Sequence, residues 1–104
     1  MYTVIETPIY AKQADRLLAD WEREAFAAFI AGNPTAGAVV RGSGGVRKVR
    51  WGQGGRGKSG GVRVIYYNRL ENGEVWLLTI YGKSDRSTIP ASELRIIKEA
   101  LDDE

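Results

Sequence analysis

A pair of apolar runs joined by a short turn is the feature that most constrains the fold of this chain. The runs are Val62–Asn68 and Val75–Tyr81, both rich in β-branched and aromatic residues, and Glu71-Asn72-Gly73 lies between them. Asn-Gly supplies the positive φ angles that a two-residue hairpin turn needs. The sequence therefore predicts two strands that pair antiparallel.

The other segments predict a mixed order of strands and helices. The predicted elements are a strand at Thr3–Ile5, helices at Tyr10–Leu18 and Asp20–Ala31, strands at Val39–Arg41 and Val46–Trp51, a turn at Gly42–Gly45, and a helix at Pro90–Leu101. The chain has 104 residues, the usual size of one domain. We expect a single α+β domain, residues 1–104, with an N-terminal strand and helical pair and a C-terminal helix packed on a twisted, mainly antiparallel sheet. One face of that sheet can remain open to a ligand.

The second predicted helix has clear end signals and one apolar stripe. Asp20 is the expected N-cap, and Gly32 with Pro34 ends the helix. Residues at helical spacing are expected to pack on the sheet, namely Trp21, Ala25, Phe26, Phe29 and Ile30.

Acidic and basic residues are segregated along the chain. No acid occurs between Glu24 and Glu71, and eight bases fall there: Arg41, Arg47, Lys48, Arg50, Arg56, Lys58, Arg63 and Arg69. This basic stretch carries +8, while the other seven bases and all thirteen acids give −6 elsewhere. A solvated surface is one interpretation, but strand-forming residues are interleaved with these bases. The pattern favours a positive sheet surface that binds an anionic polymer.

The sequence contains neither cysteine nor histidine. Disulfides, the usual zinc sites and the Ser/His and Cys/His nucleophile pairs are therefore excluded. We expect no metal and no cofactor, and general acid or base chemistry must fall to Lys, Tyr, Asp or Glu.

Targeting segments are not expected either. The first ten residues carry an acid and no base, unlike a secretory signal. The longest apolar run, Ala25–Ala31, is far shorter than the ~20 residues that span a bilayer. We expect a soluble cytoplasmic protein.

A glycine-rich segment, Gly52–Ser59, satisfies the G-x-x-x-x-G-K-S pattern of phosphate-binding P-loops. In a P-loop the Lys-Ser pair opens a helix, whereas here the β-prone run from Val62 comes next. We therefore interpret the segment as a hairpin loop in which Arg56 and Lys58 reach a nucleic-acid backbone.

Strand alternation predicts a cluster of cations. Lys48 and Arg50 share one face of their strand and Arg47 lies on the other, while Arg63 and Tyr67 share a face of the next strand. A register that aligns Lys48 and Arg50 with Arg63 would bring three cations together, which is costly without a bound anion. For each base alone, a solvated side chain at a sheet edge is an equal alternative.

Three segments, Gly42–Arg50, Gly57–Tyr67 and Leu77–Lys83, contain the strings R-K-x-R, G-x-R-x-I-Y-Y and I-Y-G-K. In these strings and in the order of its elements the chain resembles RelE/ParE-superfamily toxins, closest to the HigB branch. The resemblance implies a RelE-like fold and a metal-independent endoribonuclease that cleaves mRNA in the ribosomal A site. It also implies an antitoxin encoded beside the toxin, here expected to be a helix-turn-helix repressor.

The resemblance also assigns site residues. The family's basic pair falls on Lys48 and Arg50, its strand arginine on Arg63, and its lysine after the last strand on Lys83. Ser84 follows Lys83 where RelE has an arginine, and Arg86 or Tyr81 is the expected substitute for the missing arginine or tyrosine. We expect further residues to bind RNA: Arg47, Arg56, Lys58, Tyr67, Tyr81 and Arg86.

In the expected reaction, the ribose 2′-hydroxyl attacks the adjacent phosphate. Arg50 and Arg63 would stabilise the charge at phosphorus, and Lys48 or Lys83 would exchange protons. The alternative function is a non-catalytic nucleic-acid-binding module that uses the same face, with aromatic side chains stacked on bases. A third alternative is a protein-interaction domain, in which reversing the charge of Lys48 and Arg50 would change little.

Overall fold

Helices and strands come in the predicted order in the computed structural model, which describes residues 1–52, 61–82 and 89–102. The elements are β1 (Thr3–Glu6), α1 (Pro8–Leu17), α2 (Asp20–Gly32), β2 (Ala38–Val39), β3 (Arg47–Trp51), β4 (Val62–Arg69), β5 (Glu74–Gly82) and α3 (Ala91–Asp102). The predicted α+β class and element order are confirmed. Within these described ranges, no helix is both long and apolar enough to cross a membrane.

The strands of the described residues form one sheet in the order β1-β5-β4-β3-β2. β1 runs parallel to β5, whereas every other neighbouring pair is antiparallel. The central strands β4 and β5 are the two apolar runs, and they make the most extensive pairing. The predicted antiparallel hairpin is therefore confirmed, and it lies at the centre of the sheet.

Helices cover both faces of the central strands. On one face, Phe26 and Ile30 of α2 and Tyr10 of α1 form a core with Val64 and Leu77 of the sheet. On the other face, α3 packs through a second cluster that includes Leu94, Ile65, Leu78 and Tyr81. The apolar face of α3 consists of Leu94, Ile97 and Leu101. Within the described residues α3 covers the second face only in part, and Arg50 on that face is exposed.

Two predictions about α2 were wrong. Asp20 is the first helical residue, and Ala19 is the N-cap. The Ala19 N–H donates to Glu22 Oε1 at 2.8 Å, so the reciprocal half of a capping box serves this helix end. Glu22 lies on the buried face of the helix with Phe26 and Ile30.

The buried face of α2 therefore turns away from the predicted stripe. Trp21 is 62% exposed and Ala25 is also exposed. Successive helical residues differ by about 100° around the axis, so burial of Glu22 places Trp21 toward solvent. Phe26 and Ile30 of the stripe are buried as predicted, and Phe29 is half-buried.

The turn between β4 and β5 is longer than predicted. Arg69 pairs with Glu74, and a 3-10 turn at Leu70–Asn72 and then Gly73 connect them. Only Gly73 takes a left-handed conformation, with φ of 72°, and its N–H donates to Leu70 O at 2.9 Å. The position of the turn was right, but the two-residue type was wrong, because Asn72 joins the 3-10 turn.

The C-terminal end of α3 is tied to β4 by charged groups. Arg69 Nη2 donates to Leu101 O at 2.6 Å and lies 3.2 Å from Asp102 Oδ1, while Lys98 Nζ lies 2.7 Å from Asp102 Oδ2. Lys98 also lies over the Tyr67 ring, 5.4 Å from its centroid. Lys98 first, and then Arg69, hold the pKa of Asp102 below its ordinary value of 3.8.

Replacing Asp102 by asparagine is expected to increase hydrogen exchange in the last turn of α3. A carboxyl whose pKa is lowered by folding contributes stability above its unfolded value, and this contribution is lost as pH falls through the folded pKa. Amide exchange of wild type and Asp102→Asn should therefore differ at neutral pH and converge in acid. An equal difference at every pH would contradict this role of the carboxylate.

Candidate functional site

Lys48, Arg50 and Arg63 lie on the face of the sheet that α3 partly covers. Arg50 of β3 and Arg63 of β4 are direct partners on antiparallel strands. Lys48 lies two residues before Arg50 on the same face of β3, and it pairs with Ile65 of β4. Side chains directly opposite each other on antiparallel strands have Cβ atoms ~4.5–5.5 Å apart. The observed register is one that places all three cations close together on one face, and we call these three residues the basic patch.

The basic patch concentrates charge at the margin of the α3 face. Arg50 is exposed, and Lys48 and Arg63 are half-buried. Neither Lys48 nor Arg50 has a side-chain hydrogen bond or ion pair to the described residues. Like charges directly opposite on paired strands are destabilising. A bound anion would relieve that repulsion, which makes the patch a candidate site for a phosphate group.

Tyr81 completes the row of Arg50 and Arg63 across three strands. It is the β5 partner of Arg63, but only 5% of its surface is exposed, and it packs in the cluster beneath α3. A β-bulge sets its direction: Ile65 pairs with Thr79 and Tyr66 with Leu77, which leaves one extra residue in β5. Tyr81 thus borders the patch, whereas its ring is not presented on the open surface.

Tyr67 shares this face but lies apart from the basic patch. It is four residues beyond Arg63 on β4, roughly 13 Å along the strand. Its ring is half-buried and has Lys98 of α3 over one side. The structure does not bring Tyr67 together with the three cations, and its predicted RNA contact stays a prediction.

Arg47 lies on the opposite face of the sheet. It pairs with Tyr66, whose side chain is in the core beneath α1 and α2. Its guanidinium Nη1 donates to Gly37 O at 2.6 Å and approaches Thr35 O at 3.5 Å. Because alternate residues of a strand face opposite sides, Arg47 cannot join Lys48 and Arg50 on one surface.

Four predicted residues lie outside the described residues: Arg56, Lys58, Lys83 and Arg86. Their roles stay predictions. The P-loop segment falls largely in the same range, but the next element of the chain belongs to the described part. Val62 begins strand β4 and no helix starts there, which supports the interpretation that the pattern match is fortuitous.

A group that sequence reasoning missed lies beside β2. The Tyr66 hydroxyl accepts from Gly37 N at 2.8 Å and donates to Pro34 O at 2.8 Å, and Asn68 Nδ2 donates to the same carbonyl at 2.9 Å. Burial raises the pKa of the Tyr66 phenol, which therefore stays a proton donor. Gly37 is one of thirteen glycines, and no signal in the sequence distinguishes it from the others.

The basic patch can act on a phosphate without a metal. Arginine offers planar donors that stay charged, and lysine offers an ammonium group that can exchange protons. Paired strands hold the backbones of all three residues, so their side chains leave the same face of the sheet before a substrate arrives. Such preorganised charge is the principal means of stabilising a transition state with developing negative charge.

Two comparisons with known proteins bear on the family and the fold of this chain. Residues 35–103 match the family described as the RelE toxin of the RelE/RelB toxin-antitoxin system. The fold is similar to a solved structure of E. coli toxin RelE, a double arginine-to-alanine mutant in the free state. The TM-score is 0.62, at 17% sequence identity, over 93% of this chain and 96% of that chain.

Proposed function

The chain belongs to the RelE toxin family of toxin-antitoxin systems, and on that premise we propose that it is a ribosome-dependent mRNA endoribonuclease that inhibits translation. The observation that carries the proposal is the basic patch, in which Arg50 stands opposite Arg63 and Lys48 shares their face. Three cations on one face of paired strands, with Arg50 exposed, suit a scissile phosphate. The proposal places the enzyme in the cytoplasm, where ribosomes are.

Cleavage would proceed by attack of a ribose 2′-hydroxyl on the neighbouring phosphate. The bond from the 2′-oxygen to phosphorus forms and the bond to the 5′-oxygen breaks, which leaves a cyclic phosphate and a free 5′-hydroxyl. Arg50 and Arg63 stabilise the additional charge on the phosphoryl oxygens. Lys48 or Lys83 takes the proton of the attacking hydroxyl, and the other returns a proton to the leaving oxygen.

The ribosome would contribute orientation. In-line attack requires the 2′-oxygen, phosphorus and 5′-oxygen to align, and an mRNA held in the A site can be fixed in that geometry. Arg56, Lys58, Tyr67 and Arg86 are proposed as surrounding RNA contacts, whereas Tyr81 is buried beneath α3 and supports the patch from within the core. The antitoxin, which we propose to be a helix-turn-helix repressor encoded beside the toxin, would neutralise the protein until it is removed.

Purified toxin incubated with ribosomes programmed with end-labelled mRNA tests the proposal. We expect cuts at defined positions in the A-site codon, products that end in a cyclic phosphate, and little cleavage of the same mRNA without ribosomes. Salt-sensitive RNA binding without strand scission would favour the nucleic-acid-binding module instead. Unchanged behaviour after reversing the charge of both Lys48 and Arg50 would favour a protein-interaction domain.

The salt dependence of RNA binding should change with each patch residue. For single-stranded RNA, each phosphate contact adds about 0.7 to the slope of log affinity against log salt concentration. Lys48→Gln and Arg50→Gln should each lower the slope by about that amount, measured by fluorescence anisotropy between low and physiological salt. Lys12→Gln, at an exposed position in α1, is the matched control and should leave the slope unchanged.

A further inference from the structure

The backbone of Gly37 is held by side chains from both β3 and β4. Its N–H donates to the Tyr66 hydroxyl at 2.8 Å, and its carbonyl accepts from Arg47 Nη1 at 2.6 Å. Gly37 is buried, so both of its backbone polar groups need partners within the protein. The side chains of Tyr66 and Arg47 supply those partners in place of hydrogen bonds from a neighbouring strand.

Gly37 also lies directly against the backbone of β3. A Cβ atom on Gly37 would be 2.7 Å from Lys48 O, 2.9 Å from Lys48 C and 2.9 Å from Tyr66 Cε1. These distances are shorter than a Cβ atom tolerates, and the φ angle of Gly37 is not positive. Glycine is therefore required here for close approach and not for an unusual backbone conformation.

This contact adjoins the only strand pairing that β3 has on its outer side in the described residues. β2 contributes two pairs, Ala38 with Lys48 and Val39 with Arg47. So short a pairing leaves the outer edge of β3 weakly held. The contacts at Gly37, directly before Ala38, extend the hold on the backbone of Lys48.

We propose that Gly37 and Arg47 are positioning residues for the cleavage reaction. Arg47 holds Gly37 against the Lys48 carbonyl. This contact fixes the position of the β3 backbone at Lys48 and Arg50 relative to Arg63 on β4. Arg47 acts from the face opposite the basic patch, so it acts through the backbone and not on RNA. The inference rests on the proposed function and adds to it a structural origin for the geometry of the patch.

Four variants test the inference on programmed ribosomes at saturating toxin. Gly37→Ala pushes on the Lys48 carbonyl, Arg47→Met removes the donor but keeps the aliphatic stem, and Arg47→Lys keeps one donor. Gly32→Ala, at the end of α2, is the matched control, because a Cβ there meets only one atom, at 4.0 Å. Each variant is assayed below its measured melting temperature, where it is folded.

We expect Gly37→Ala and Arg47→Met to lower the single-turnover cleavage rate by about 10- to 100-fold, since a misplacement near 1 Å can cost the latter. Arg47→Lys should recover most of the rate, and Gly32→Ala should match wild type. Ribosome affinity should stay within about twofold of wild type, with an unchanged salt slope, because no phosphate contact is removed.

A double-mutant comparison separates positioning from a general structural role. If Arg47 acts through Lys48, then adding Arg47→Met to Lys48→Ala should cost little more than Lys48→Ala alone. If the double variant instead loses the product of the two single-variant losses in cleavage rate, that result would overturn the inference. So would Gly37→Ala and Arg47→Met cleaving as fast as Gly32→Ala, or a salt slope lowered by Arg47→Met, which would make Arg47 a direct RNA contact. If Gly37→Ala does not fold, Arg47→Met and Arg47→Lys decide the outcome.

Absence of cleavage by the wild-type protein would overturn the proposed function and not this contact. In that case the contact of Gly37 with the backbone of β3 is measured directly by the amide chemical shifts and hydrogen exchange of Lys48 and Arg50. Arg47→Met and Gly37→Ala must alter both amides, and Gly32→Ala must not. Unaltered amides in Arg47→Met would overturn the positioning role.

Discussion

Replacing Arg63 by alanine is expected to slow cleavage of ribosome-bound mRNA by about 10²- to 10³-fold, the usual cost of losing one preorganised donor to a transition state. Arg63 is the central member of the Arg50, Arg63 and Tyr81 row, and strands flank it on both sides. This pairing gives it less freedom than an arginine on an edge strand or loop. Its loss should therefore remove a charge that Lys48 and Arg50, on the neighbouring strand, do not replace.

Single-turnover cleavage of programmed ribosomes measures this effect. Arg63→Lys should lose less than Arg63→Ala, because it keeps the charge but not the planar pair of donors. Arg16→Ala, at an exposed position in α1, is the control and should cleave like wild type. Equal rates for Arg63→Ala and wild type would refute the assignment of Arg63 to the reaction.

Replacing Phe26 by alanine is expected to lower the free energy of unfolding by about 3–5 kcal/mol. Phe26 is fully buried, and its ring centroid lies 5.3 Å from that of Trp51 in an edge-on contact and 6.4 Å from that of Phe29. Domains of this size have a total stability of about 5–15 kcal/mol. The variant should therefore unfold at a much lower urea concentration, with reduced population of the folded state at 37 °C.

Trp21→Ala is the matched control for this prediction. Both residues were predicted to pack on the sheet, yet Trp21 is 62% exposed. Its replacement should change the free energy of unfolding by less than about 0.5 kcal/mol, as for surface positions in general. A cost for Trp21→Ala as large as that for Phe26→Ala would contradict this orientation of α2.

Much of the fold could be predicted because the central strands are apolar and their turn signal is local. Val62–Asn68 and Val75–Tyr81 were predicted as strands, and the structure extends them only by a residue or so to β4 and β5. Strand alternation also placed Lys48 and Arg50 opposite to Arg47 correctly. Side chains along a strand alternate strictly between two faces of the sheet. The sequence pattern of a strand therefore predicts reliably which face each residue occupies.

The helical orientation could not be predicted in the same way. Trp21, Phe26 and Ile30 all fit one broad helical stripe, and burial of any subset satisfies the spacing. Packing of Phe26 and Ile30 against sheet residues such as Val64 selects the rotation of α2, and these contacts join residues far apart in the chain. The bulge in β5, which turns Tyr81 under α3, likewise left no local signal.

By itself, the sequence determined the elements, their order and the charge of the face that carries Lys48, Arg50 and Arg63, because periodicity and charge are local properties. Only the tertiary structure decided which cations meet. Strand register set Arg50 opposite Arg63, and α3 covered Tyr81. A glycine with no distinguishing neighbours in the sequence came to lie against Lys48. Contacts between residues far apart in the chain depend on packing, and packing is settled only when the whole core forms.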